Sequence, residues 1–190
     1  MRRIINRLVV VRAPEADLVA AAEAAAAFAD RLDTLRARTS NWEVSEAGLE
    51  PGHFIEHSPL SGLSNPLAPP MHLQVLTEPG VPTVVSGTVM YGAAYEGPPG
   101  HVHGGMVAAM FDELLGFAQF GAGFTGTLTI RYRKPTPLHT SLTVKAWLDR
   151  ESGRKRIIKG TCHNGDLLLS EAEGLFIAPR AGNLREALGF

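Results

Sequence analysis

The sequence has one cysteine, Cys162, in 190 residues, which excludes an internal disulfide and fits a reducing compartment. A lone thiol also cannot build a cysteine-rich zinc centre. No apolar run approaches the ~20 residues that a membrane-spanning helix needs. Neither charge is in excess: Lys plus Arg is 18 against 19 for Asp plus Glu, a net charge of −1. No overall field therefore draws the chain to nucleic acid or to an anionic membrane. The first residues carry Arg2, Arg3, Arg7 and Arg12 and no acid before Glu15, but Arg7 and Arg12 cut the apolar stretches that a secretory leader would keep whole. No internal repeat is present. The chain reads as cytoplasmic, and its length suits one domain with an extension.

What is present centres on residues 97–119. Gly97-Pro-Pro-Gly100 is turn chemistry that holds the backbone out of regular structure. After His103-Gly104-Gly105 the run becomes too apolar for a surface helix. Met106, Val107, Met110, Phe111, Leu114, Leu115, Phe117 and Ala118 surround the whole wheel, so this helix is expected to be buried on all sides. Two adjacent carboxylates, Asp112 and Glu113, lie inside it. An ionised carboxylate is costly to bury alone, so at least one is expected to be paired or to take part in chemistry.

Before this stretch, Ile4 to Val11 is β-branched and reads as a short strand or an arm. Pro14 suits the start of a helix over Ala16 to Arg38, with Glu15 and Asp17 at its positive end. Its stripe of Leu18, Ala21, Ala22, Ala25, Phe28, Ala29, Leu32 and Leu35 is expected to lie on a larger body. Thr39 to Pro70 is rich in proline, glycine and serine and reads as an ordered strap whose Trp42, Phe54 and Ile55 touch the domain. From Met71 the texture becomes β. Strands are expected from Met71, over Thr83 to Tyr91, and then over 126–134, 141–150, 155–163 and 167–178, with turns at Pro79-Gly80, Pro135-Thr-Pro137, Glu151-Ser-Gly153 and Asn164-Gly165-Asp166. Residues 181–190 read as a loose tail. The order β-β-helix-β-β-β-β, with a helix apolar on all sides, requires a single sheet curled around it. This is an α+β chain of the hotdog type: an extension over 1–70, a domain over 71–180 and a tail.

Tyr95-Glu-Gly-Pro-Pro-Gly-His-Val-His103-Gly104-Gly105, with Asp112 nine residues after His103, resembles the hotdog-fold acyl-CoA thioesterases. The resemblance is to the phenylacetate-degradation and thioesterase-superfamily-member branch of the 4-hydroxybenzoyl-CoA thioesterase superfamily. Thr125 to Pro135, Gly153-Arg-Lys and Ser170 to Phe176 extend it, so that it covers about residues 60–179. It implies Asp112 as the catalytic carboxylate, acting as general base or nucleophile. It also implies His103 as the histidine before the helix, the Gly104 N–H as the donor to the thioester carbonyl, and Thr125 as a hydroxyl that positions water or the carboxylate. Some relatives carry an asparagine where this chain has Gly97, a role left absent or passed to Glu96. The expected substrate is an acyl-CoA, with no cofactor, no nucleic acid and no stable membrane insertion.

The chemistry is coherent on its own terms. A thioester is activated and its thiolate leaves readily, so one oxyanion donor and one carboxylate can suffice. Gly104 and Gly105 let substrate approach the backbone at a helix start, where N–H groups are free. Small neighbours, Ala108, Ala109 and Gly116, leave space beside Asp112, whereas Glu113 points about 100° away. Gly104 and Asp112 are separated by roughly 12 Å of helix, too far to act on one carbonyl. A site that uses both is expected to be shared across a homodimer, or a tetramer built from such dimers. Arg131, Arg133 and Lys134, with Arg154, Lys155 and Arg156, are either solvated strand ends or contacts for CoA phosphates. His101-Val-His103 lacks a matched third metal ligand. A hotdog hydratase or dehydratase and a non-catalytic acyl-CoA-binding or regulatory protein are the alternative readings.

Overall fold

The computed structural model describes residues 1–36, 57–77 and 82–180. Helices α1 (Arg2–Leu8) and α2 (Glu15–Asp33) come first, followed by turns over residues 57–70. Strands β1 (Met71–Leu76) and β2 (Val84–Val89) lead through a single 3₁₀ turn, Ala93–Tyr95, to helix α3 (Gly104–Phe117). Strands β3 (Phe124–Tyr132), β4 (Leu142–Ser152), β5 (Lys155–Asn164) and β6 (Leu167–Ile177) complete the order. All pairings are antiparallel, in the order β1-β2-β4-β5-β6-β3. Helix α3 touches β3, β4, β5 and β6, which is the expected hotdog arrangement. Among the described residues no helix is long and apolar enough to cross a membrane.

The core forms where α3 meets the concave face of the sheet. Val107, Met110, Phe111, Leu114 and Leu115 are buried against Val85, Val144, Ala146, Ile158, Cys162, Leu169 and Phe176. Two glycines make this approach close enough. A Cβ at Gly160 would stand 2.8 Å from the Leu115 side chain, and one at Gly174 would stand 3.2 Å from it. The Cys162 thiol sits inside this core, and burial pushes it up to about 11. Phe111 is fully buried at the centre of α3, so Phe111→Ala is expected to cost about 3–5 kcal/mol through lost contacts and a residual cavity. Chemical denaturation checks this; a loss below about 1 kcal/mol would remove Phe111 from the core.

The hairpins fall where the sequence places them. Gly153 (φ +58°) and Gly165 (φ +56°) supply the left-handed positions between β4 and β5 and between β5 and β6. The expected turn at Pro79-Gly80, the tail at 181–190, and Trp42, Phe54 and Ile55 of the strap lie outside the described residues.

Three expectations are corrected. The segment expected as a strand or arm is instead the helix α1, because its polar side chains find partners in that form. The Arg2 guanidinium donates to the carbonyls of Gly62, Leu63, Asn65 and Ala68 at 2.7–2.9 Å, and Asn6 Oδ1 accepts from the Ala94 N–H at 3.1 Å. Helix α2 ends at Asp33, where the Thr34 hydroxyl bonds the Arg31 carbonyl, and it buries no residue. A stripe that is half alanine offers little area to a neighbour, and a groove of about 1210 Å³ separates it from α1 and Met90 to Ala93. Finally, α3 is buried on one side only. Ala108, Ala109, Asp112, Glu113 and Gly116 remain half-exposed, while Phe117 is partly buried against the core.

Candidate active site along helix α3

The turn before α3 is built to hold His103 extended. The Gly97 N–H donates to the His101 carbonyl at 2.9 Å, and Glu96 Oε1 accepts from the Gly100 N–H at 2.6 Å. Glu96 is therefore engaged in shaping the turn. A Cβ at Gly97 would come within 2.7 Å of the His103 Cα, so only glycine fits without a backbone shift. Behind the turn, the Val102 N–H donates to the Thr136 carbonyl and the Leu138 N–H to the Gly100 carbonyl. His103 itself (φ −59°, ψ 131°) caps the helix, its Nδ1 accepting from the Gly105 N–H at 3.0 Å.

That cap distinguishes the two glycines. The Gly105 N–H is occupied by His103, and the Met106 and Val107 N–H groups donate to the His103 carbonyl. Among the described residues the Gly104 N–H has no acceptor. It is the free donor at the positive end of α3. The Tyr132 hydroxyl donates to the Gly104 carbonyl at 3.0 Å, a contact that the alternation of β3 gave no reason to expect.

Further along α3 the two acids part. The Thr125 hydroxyl donates to Asp112 Oδ1 at 2.8 Å, and Oδ2 of this half-exposed residue has no partner among the described residues. Glu113 Oε1 instead accepts from the hydroxyl of Ser61, a buried residue of the 57–70 turns. Strand β3 thus runs antiparallel to α3 and touches it twice, Thr125 at Asp112 and Tyr132 at Gly104. The structure joins Asp112 with Thr125 and groups His103, Gly104 and Gly105, but places Asp112 eight residues along the helix from Gly104.

The basic residues after β3 divide as well. Arg133 Nη2 stands 2.5 Å from Glu171 Oε1 and Arg131 Nη1 stands 3.7 Å from it. The hydrogen bond from Arg133 holds the Glu171 carboxyl below the usual range. Both arginines thus reach Glu171 of β6 from side chains that stay 71% (Arg131) and 50% (Arg133) exposed, so they are surface ion pairs. Lys134 has no side-chain partner among the described residues and lies just beyond the Tyr132 contact with Gly104. Arg154 is held on the Ala178 carbonyl and Arg156 on Glu151. His101 Nδ1 lies 2.9 Å from the Pro99 carbonyl oxygen, and no three metal-ligating side chains gather among the described residues.

The family model described as Thioesterase superfamily matches residues 99–169. A crystal structure of a thioesterase superfamily protein is 34% identical with a TM-score of 0.76, covering 93% of this chain and 86% of that one. This chain belongs to the thioesterase superfamily. Acyl-coenzyme A thioesterase THEM4 of Bos taurus is 39% identical over 88 residues, 45% of this chain and 37% of that protein. Acyl-coenzyme A thioesterase THEM5 of Homo sapiens is 33% identical over 91 residues, again 45% and 37%. The match spans less than two fifths of those relatives' own length. Thioesterase superfamily member 2 from Mus musculus shares the fold at 14% identity and a TM-score of 0.50, over 56% of this chain and 82% of its own. The thioesterase superfamily match includes His103, Gly104, Asp112, Thr125 and the Arg131–Lys134 run, and it leaves out α1, α2 and Ser61.

Proposed function

We propose that this protein hydrolyses acyl-CoA thioesters to a carboxylic acid and free CoA. The observation that carries the reading is Asp112: a half-exposed carboxylate on an apolar helix, with one oxygen fixed by Thr125 and the other without a partner among the described residues. Asp112 is the general base on water or the nucleophile, and the carbonyl oxygen becomes the oxyanion that the Gly104 N–H stabilises. As base, Asp112 takes a proton from the water whose oxygen adds to the carbonyl carbon, and collapse of the intermediate expels the thiolate. His103 is the residue that sets the helix start, and its cap on Gly105 leaves Gly104 as the donor.

The site is shared by two chains in this proposal. The half-exposed side of α3 carries small residues, Gly105, Ala108, Ala109 and Gly116, which let a second helix come close. An antiparallel second copy of α3 brings its Gly104 to the first chain's Asp112, and the reverse. Lys134, at the Gly104 end, binds CoA phosphate, with Arg131 and Arg133 contributing when they release Glu171. Hydrolysis of an acyl-CoA chain-length series by the purified protein, followed by thiol release, tests the function. Binding of acyl-CoA without thiol release at any chain length would make the protein a non-catalytic binder.

Charge removal at Lys134 is expected to raise KM severalfold at low salt with kcat unchanged, the mark of uniform binding. Arg131→Gln and Arg133→Gln should raise it less, since each side chain is partly held by Glu171. Steady-state kinetics at two salt concentrations checks this, and an unchanged KM in all three variants would assign the run to structure alone.

A further inference from the structure

Helix α2 is apolar along one stripe, yet none of its residues is buried. Leu18, Phe28, Leu32 and Leu35 are 42–59% exposed. With Ala21 and Ala25 they recur at alternating spacings of three and four residues, Leu18, Ala21, Ala25, Phe28, Leu32 and Leu35, the seam of a helix that pairs with another helix. The N-terminal half of the seam looks into the groove of about 1210 Å³, whose other walls include the exposed Ile4, Leu8, Val10 and Met90. An open apolar patch of this kind marks a docking surface.

The geometry points to a second copy of α2 as its occupant, packed antiparallel across a two-fold axis. Reversal of one helix sets large residues against small ones. Leu18 faces the partner's Leu35, Ala21 faces the partner's Leu32, and Ala25 faces the partner's Phe28, each repeated by the symmetry. The Leu35 N–H donates to the Leu32 carbonyl at 2.9 Å, a turn that holds Leu35 against the end of the helix two residues past Asp33. The flanking charges agree with this direction. Glu15 and Asp17 lie at one end of α2 and Arg31 and Arg36 at the other, so antiparallel pairing sets Glu15 beside the partner's Arg36 at both ends. Parallel pairing would set Arg31 beside the partner's Arg36, a repulsion. Ala22 and Ala29, beside the seam, face each other between chains in the antiparallel register and let the backbones come close. This contact is separate from the pairing of α3 in the proposed active site, and it joins chains whether or not they hydrolyse thioesters.

Cross-linking of the full chain with a short bis-maleimide tests it. The double variant Ala22→Cys/Ala29→Cys should yield a covalent dimer on denaturing gels, and either single variant little; native Cys162 is buried and stays unreactive in the folded protein. Arg36→Glu should lower the cross-linked fraction severalfold, and adding Glu15→Arg in the same chain should restore it. These positions are exposed, so circular dichroism should be unchanged. Efficient joining through Leu18→Cys alone, a position that lies roughly 25 Å from its own copy in the antiparallel register but beside it in a parallel one, would mean parallel pairing and overturn the proposal. So would an absence of inter-chain product in every variant, or flotation of the protein with phosphatidylcholine vesicles in place of cross-linking, which would give the face to lipid.

Discussion

Asp112→Asn is expected to fold as the parent does and to lose roughly 10²–10⁴-fold in kcat, the usual weight of a general base. Asparagine keeps the volume and can still accept from the Thr125 hydroxyl, which now donates to Asp112 at 2.8 Å. What it cannot do is take a proton or attack a carbonyl. The comparison with its neighbour makes the test sharp. Glu113 is already bound by the Ser61 hydroxyl, so Glu113→Gln should alter stability more than rate, and Thr125→Ala should fall between the two in kcat. Single-turnover thiol release by each purified variant reads the effect on chemistry. A fully active Asp112→Asn chain alongside a dead Glu113→Gln chain would mean that the wrong acid had been chosen.

Two inactive chains are expected to make an active dimer. Gly104→Pro removes the free N–H, and proline suits the first helical position. A Cβ at Gly104 would lie 3.8 Å from the Tyr132 ring, so there is room. Each parent homodimer of Gly104→Pro or Asp112→Asn lacks one half of both its sites. In a mixed dimer one site carries both defects and the other neither, so up to about half of the parent activity per hybrid should return. Activity against mixing ratio, with exchange verified by mass, is the measurement. Verified hybrids without activity, or a fully active monomer, would end the shared-site reading.

Much of the domain was legible because periodicity and turn chemistry agree along it. The Val- and Thr-rich strands, the glycine turns at 153 and 165, and the apolar helix after His103-Gly104-Gly105 each point the same way. The N-terminal helix was not legible. Ile4 and Ile5 favour a strand locally, and what decides otherwise is Arg2, whose four carbonyl acceptors lie about sixty residues away. No local pattern carries such a contact. The pairing of Asp112 with Thr125 could be expected from resemblance alone, since thirteen residues and a loop separate them. The Ser61 hydroxyl on Glu113 had no signal at all: a serine in a proline-rich stretch looks like any other. The all-round burial expected of α3 fails in the single chain because the sheet reaches one side only, and the small residues on the other side are those that a second helix would need.

The position of β3 in the sheet sets an order of events during synthesis. In sequence it follows α3 directly, yet among the described residues its only strand partner is β6, the last of their strands. While β4 and β5 leave the ribosome and pair with their neighbours, β3 has no ladder to join. At roughly 5–20 residues per second, it waits for seconds with Thr125 and Tyr132 unplaced beside the helix. A chain that stops before Leu167 therefore keeps Asp112, His103 and Gly104 but has nothing to fix the strand that ties Gly104 and Asp112 of α3. The active-site helix can exist early, whereas the site acquires its second wall only when the final hairpin closes.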